Sequence, residues 1–300
     1  IMFGCALMAQ GWDFMKLSTA QYETNEHIIV EAFQNISIVA DTADITFATS
    51  ESDRCLVVCH EQKNATHMVV MKADALEIKL ADARKWYEHI GINIGSPKIT
   101  VYIPQGAYGT LSIKGSTGDV EIPQNFQFEF MDISESTGDV TNYASVSEDI
   151  KIKTSTGNIY VENISTSTVD LFASTGKVTA SNVICGKDVK VHVSTGRTEM
   201  TDIKCKNVVS EGTTGDMTLK NVIASESFSI ERSTGDVVFY GCDAAEISVK
   251  TSTGDVKGSL LAEKVFVTKT NTGSVVTPQT TTGGKCEVST DTGDIKISIS

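Results

Sequence analysis

The chain has 300 residues, 40% of them hydrophobic, only 4 prolines and a formal net charge of −13. That is enough apolar content for a continuous core and too little proline for a disordered composition. The acidic balance excludes nucleic acid, whose binding needs a basic face to release counterions, and disfavours unaided docking on an anionic leaflet.

The chain opens on Ile1 rather than Met, with the apolar run Ile-Met-Phe-Gly-Cys-Ala-Leu-Met-Ala. Nine residues are too few to cross a bilayer, which takes about 20. Residues 1–17 therefore read as the remnant of an N-terminal membrane anchor or as a short helix packed on the end of the body. Residues 27–113 form an irregular β cap, with strands predicted at His27–Glu31, Asn35–Val39, Asp44–Ala48, Cys55–Glu61, Thr66–Met71, Ala75–Leu80, Lys98–Ile103 and Thr110–Ile113. Within it Asp41-Thr42-Ala43-Asp44-Ile45 looks like a worn copy of the turn that follows later. The insert Ala83 to Ile94, with Trp86 and Tyr87, is predicted to be a short helix or loop covering the end.

Residues 114–300 repeat. A variant of Ser-Thr-Gly-Asp recurs around Gly118, Gly138, Gly157, Gly176, Gly196, Gly215, Gly235, Gly254, Gly273 and Gly293, always 19 or 20 residues apart. Such a period marks one supersecondary unit stacked on copies of itself. Counted from each glycine, position −7 is apolar in every copy (Leu111 to Cys286), and position −5 in all but Ser210 and Thr268. Position +2 is apolar in all but Thr198. Position +7 supplies Ile164, Val183, Ile203, Val222, Cys242 and Leu261 in the middle coils. Period-2 columns on both sides of a glycine describe two short strands joined by a tight turn, with a second bend near +5 to +10. Without crossover helices such strands satisfy their backbone only by parallel pairing with the coils above and below. The predicted fold is all-β, a single-stranded parallel β-helix or β-solenoid of about ten coils, right-handed by the general crossover preference. Stacked in chain order, its last coil, ending at Ile299 and Ser300, leaves an edge open to end-to-end self-association.

Little in this pattern suggests chemistry. No catalytic residue or cofactor is indicated: the chain lacks Gly-x-Ser-x-Gly, His-Glu-x-x-His and a phosphate loop. The histidines His27, His60, His67, His89 and His192 have no spacing that sets one beside a cysteine or carboxylate pair. The seven cysteines, Cys5, Cys55, Cys59, Cys185, Cys205, Cys242 and Cys286, read as small hydrophobes. Cys185 and Cys205 fall on adjacent coils within bridging range, which leaves a disulfide open there. The column after the glycine, with Asp216, Asp236 and Asp255, could hold calcium between coils, but Lys177 and Arg197 interrupt it, and the plainer reading is that each Asp caps its own turn. The threonines at −1, from Thr117 to Thr292, suggest hydroxyls bonding along the stack. An ice-binding face would need threonine at −3 too, and only Thr154, Thr251, Thr270 and Thr290 supply it.

The serial turns Ser116–Val120, Ser136–Val140, Ser233–Val237 and Ser252–Val256, preceded by an irregular β region, resemble the bacterial putative-adhesin β-strand-repeat family of unknown function, over Ile28 to Ile299. The resemblance implies a membrane-anchored surface role and supplies no ligand or catalytic residue. The expected function is a non-enzymatic cell-surface structural or adhesion protein on the outer face of a bacterial membrane, its partner a surface glycan or a protein. The alternatives are a polysaccharide-acting β-helix enzyme and an envelope scaffold or signalling module.

Overall fold

The computed structural model describes residues 21–82 and 97–300; the predicted anchor at 1–17 and the predicted cover at Ala83 to Ile94 lie outside the described residues. All the regular structure described is β, in parallel coils closed at one end by an antiparallel cap. Alternation of apolar and polar residues turns each strand's apolar face inward. The −7 column from Leu111 to Ile247 and the −5 column from Ile113 to Val249 are buried. Coils pair in register, glycine turn over glycine turn: Ile150 lies beside Val169, Leu171 beside Val191 and Val208 beside Phe228.

The second bend is one residue wide. Asn163, Asn182, Asp202 and Asn221, each six residues after a turn glycine, adopt φ between 49° and 58°, and Gly241 continues the column at φ 60°. Asn and Asp tolerate this left-handed conformation better than other residues with a Cβ. Their side chains also bond between coils, Asn182 Nδ2 donating to Asn163 Oδ1 at 2.7 Å and Asn221 Nδ2 to Asp202 Oδ1 at 2.6 Å. After Gly241 the pairing shifts, and Leu260 takes the buried place expected of Leu261, which is exposed.

The cap holds β1 (Tyr22–Ile29), β2 (Asn35–Val39), β3 (Asp44–Thr49), β4 (Cys55–Gln62), β5 (Ala65–Lys72), β6 (Ala75–Asp82) and β7 (Lys98–Ile103). The first strand begins five residues before its predicted start at His27. β2 and β3 already form a coil: Ile45 pairs with Val120, and Ala43 stands where the other coils have glycine, its carbonyl facing Gly118. This coil is overlaid by β6 and β7, which pair in parallel with β2 and β3. β5 then pairs antiparallel with β6, β4 with β7 and β1 with β4, so the parallel stack ends in antiparallel strands.

Coils are not stacked wholly in chain order. β2 lies between β6 and the later strand Gly106–Thr117. At the other end the final coil, Gly284–Thr292 with Ile295–Ile299, inserts between Glu246–Thr253 and Lys264–Thr272. This corrects the expectation that the last coil is the open edge: the edge is the penultimate coil, Lys264–Thr272 with Val275–Val276. Composition explains the exchange. The inserted coil offers Val288, Ile295 and Ile297 at −5, +2 and +4, where the edge coil has Thr268, Val275 and Thr277. The more apolar coil takes the place covered on both sides.

Three substitutions test the inward columns and the exchanged order. Ile230→Ala is expected to lower stability by about 2–5 kcal/mol in urea unfolding through lost transfer energy and a residual cavity. At the +2 position, Ile295→Ala should cost a similar amount, while Val275→Ala, 42% exposed on the edge, should change stability by less than about 0.5 kcal/mol. Equal losses at Ile295 and Val275 would contradict the exchanged order.

Candidate functional site

The ten turn glycines have φ between 125° and 152°. A Cβ on Gly176 would lie 1.8 Å from the carbonyl oxygen of Gly157 in the neighbouring coil, so both the dihedral and the stacking distance require glycine. The residue after it bonds between coils. Asp119 Oδ1 accepts the amide N–H of Asp139 at 2.8 Å, and Asp139 Oδ1 that of Asn158 at 2.7 Å. Asp216 accepts from Asp236, Asp236 from Asp255 and Asp255 from Asp294 at 3.1, 2.9 and 2.8 Å. The caps therefore serve the next coil's turn, which corrects the reading that each Asp caps its own. Lys257 Nζ sits 3.1 Å from Asp236 Oδ2 and 3.7 Å from Asp255 Oδ2, an ammonium beside two of the three carboxylates proposed for calcium. Burial opposes ionisation of Asp236, but the Asp255 amide and Lys257 outweigh it and hold the carboxyl below its usual value.

The −1 threonines are exposed, and their carbonyls rather than their hydroxyls carry the stack: Gly138 N–H donates to Thr156 O and Gly157 N–H to Thr175 O, both at 2.9 Å. At −3 the threonines turn inward, Thr154 and Thr290 donating to the carbonyls of Gly138 and Gly254 at 3.2 and 3.0 Å. Because Thr154, Thr251 and Thr290 are buried, positions −3 and −1 share no flat outer face, and the ice-binding reading falls. Cys185 and Cys205 are free thiols, like the other four described cysteines, and the Cys185 thiol donates to Ser167 O at 3.1 Å.

The −3 column also admits two charges. Arg232 is buried, and its Nη2 donates to Thr198 Oγ1 at 2.9 Å and Ser210 Oγ at 3.0 Å. Those are two of the polar exceptions in the core columns. Nε and Nη1 have no hydrogen-bond partner, and burial pulls the guanidinium down to about 10. Gly212, one coil earlier, makes the room, since a Cβ there would meet Arg232 Nη1 at 1.7 Å. Glu135 lies over Gly115 in the same way, and burial, then Asp119, raises its carboxyl to about 7.

A groove of about 540 Å³ near the cap crosses successive coils past Gln34, Tyr108, Gln127, Glu129, Ser145 and Ser147. Its floor coincides with a shift in pairing between Phe128 and Phe130, and bulges of this kind re-aim side chains. Tyr108 is fixed by its hydroxyl, which donates to Pro104 O at 2.8 Å, and by stacking on Phe33 with ring centres 6.0 Å apart. The groove was not legible in the sequence, because its residues occupy polar outer positions that resemble any solvated face.

Sequence spacing set no histidine beside a cysteine or carboxylate pair on one face, yet the structure does so in the cap. The turn at Lys63 and Asn64 folds β5 back on β4 and brings His67 against Glu61 and Cys59. The visible signal was Glu61 and His67 on either side of a Lys-Asn turn.

A family model described as Toastrack DUF4097 matches residues 33–191 and 185–300. The chain belongs to the Toastrack DUF4097 family. No curated protein matches it in sequence. Among solved structures the Toastrack chain is similar to a putative lipid binding protein from Parabacteroides distasonis, at 16% identity and a TM-score of 0.54, covering 80% of this chain and 98% of that one. A putative adhesin from Parabacteroides merdae matches at 12% identity and a TM-score of 0.51, over 80% and 97%. A putative adhesin from Bacteroides fragilis matches at 17% identity and a TM-score of 0.45, over 94% and 99%. At these identities the likeness to the two Parabacteroides proteins shows the fold alone.

The two buried charges give this Toastrack chain measurable signatures. A buried guanidinium with Nε and Nη1 unpartnered is a cost that apolar packing removes, so replacing it together with its two hydroxyl partners, as Arg232→Met with Thr198→Val and Ser210→Ala, should raise stability by about 1–4 kcal/mol in urea unfolding; a lower stability would contradict a net cost of burying Arg232. Because Glu135 binds its proton more tightly when folded, its contribution is complete below pH 4.5, the ordinary value, and is lost as pH rises toward about 7. Melting temperature should fall across that window in the unaltered chain and fall less in Glu135→Gln. Parallel profiles would refute the raised carboxyl.

Proposed function

We propose that this chain is a non-enzymatic binding body of the bacterial envelope, and that the groove beside the cap takes a neutral surface glycan. The observation that carries the reading is the groove itself: a concave cleft of about 540 Å³ crosses successive coils next to the cap, beside one of the register shifts in the stack, the bulge at Phe128 and Phe130. The amides of Gln34 and Gln127 and the hydroxyls of Ser145 and Ser147 match the hydrogen-bonding of sugar hydroxyls, and Tyr108 supplies a restrained aromatic ring. Glu129 is the one carboxylate among its lining residues, whereas glycoside hydrolysis works with a pair. The adhesin name of the Parabacteroides merdae neighbour agrees with this role, and the serial Ser-Thr-Gly-Asp-Val turns then mark the adhesin-type scaffold. Residues 1–17, with their apolar run, would hold the body at the outer membrane face.

A glycan array probed with the full chain and with Ser147→Trp, which fills the groove, tests the reading. Retention should drop at least tenfold in the variant while the melting temperature stays unchanged. Glycan binding that survives the filled groove, or release of reducing ends from a bound polysaccharide, would overturn it. Protease shaving of intact cells, with and without residues 1–17, reads the anchoring separately.

A further inference from the structure

We propose that the cap contains a transition-metal site, best matched to zinc, in which the Cys59 sulfur, a His67 ring nitrogen and the Glu61 carboxylate are the protein ligands. The three ligand atoms lie within 4.8 Å of one another, and the side chains are buried, with Cys59, Glu61 and His67 exposed by 0, 1 and 6%. Ligand atoms around a tetrahedral zinc stand roughly 3.3–3.8 Å apart, so closing this set on an ion takes small shifts. One thiol, one imidazole and one carboxylate form a donor set that suits zinc and not calcium or magnesium, which take oxygen.

Simple hydrogen bonding explains part of the cluster: His67 Nδ1 and Glu61 Oε2 are 2.7 Å apart, and the His67 amide donates to the same oxygen at 2.6 Å. It leaves His67 Nε2 buried without a hydrogen-bond partner. Such an atom costs free energy unless something binds it. The neighbouring strand adds to the case. In β1, Glu23, Asn25 and His27 pair opposite Glu61, Cys59 and Val57 and so share their face. Asn25 Nδ2 donates to Glu61 Oε1 at 2.8 Å and orients the carboxylate, as groups behind a metal ligand do. His27 Nε2 is a second buried ring nitrogen without a partner on that face. An ion here would tie β4 and β5 to each other, and β1 to them through Asn25, at the end of the stack where parallel pairing stops. It lies apart from the Asp column and from the groove residues.

The experiment is a cobalt titration of the full chain after dialysis against chelator. Binding should saturate at one ion per chain with a thiolate-to-cobalt charge-transfer band in the near ultraviolet. Zinc should abolish the band and raise the melting temperature. Cys59→Val, which preserves the apolar bulk, and His67→Gln should lose the band and weaken zinc binding at least tenfold, while Cys286→Val, equally buried elsewhere, keeps both. No saturable band in the unaltered chain, or a band that persists in Cys59→Val, would overturn the site. The unaltered chain decides the matter even where a variant fails to fold.

Discussion

Each turn glycine stands so close to its neighbour's carbonyl that a Cβ would fall 1.8–2.2 Å from it, from Gly118 over Ala43 to Gly293 over Gly254. That contact sets the spacing of the corner, and the rest of the coil follows. With corners superimposed, the amide after a glycine meets the side-chain oxygen of the neighbouring Asp or Asn wherever one stands there, and the −3 hydroxyls meet glycine carbonyls. Apolar columns then fall into line without a gap, and the interior becomes one continuous core. Stability in such a body is a sum of coil and interface terms, so a local exception can be absorbed by the coils beside it.

The exceptions are informative because each needs a compensating residue one coil away. Arg232 enters the core only where Gly212 leaves space and where Thr198 and Ser210 supply oxygen. Glu135 depends in the same way on Gly115. Near the cap, the bulge between Phe128 and Phe130 disturbs the outer face and opens the groove on which the glycan reading rests. Binding specificity on a uniform solenoid has to come from such departures, since a repeated surface offers every ligand the same contact many times.

The cap obeys a different constraint. A parallel stack ends in unpaired N–H and C=O groups, and antiparallel strands over β6 and β7 cover them. That change of direction brings residues distant in sequence onto one face, Asn25 with Cys59 and Glu61, and the tight turn adds His67. At the opposite end the chain instead places its more polar coil outermost, with Lys269 and Asn271 on an edge strand, and buries the apolar C-terminal coil beneath it.

By itself, the sequence determined the β-solenoid, the glycine corner and the inward columns, because a period of 19 or 20 residues and alternation by two are local properties that neighbouring copies repeat and reinforce. Ala43 and Asp44 were legible as a worn turn for the same reason. The order of the outer coils, the partner of each Asp, the Arg232 slot, the groove and the meeting of Cys59, Glu61 and His67 were decided only in three dimensions. Each depends on which coil lies beside which, a choice made by comparing burial on competing faces. No single repeat carries that comparison.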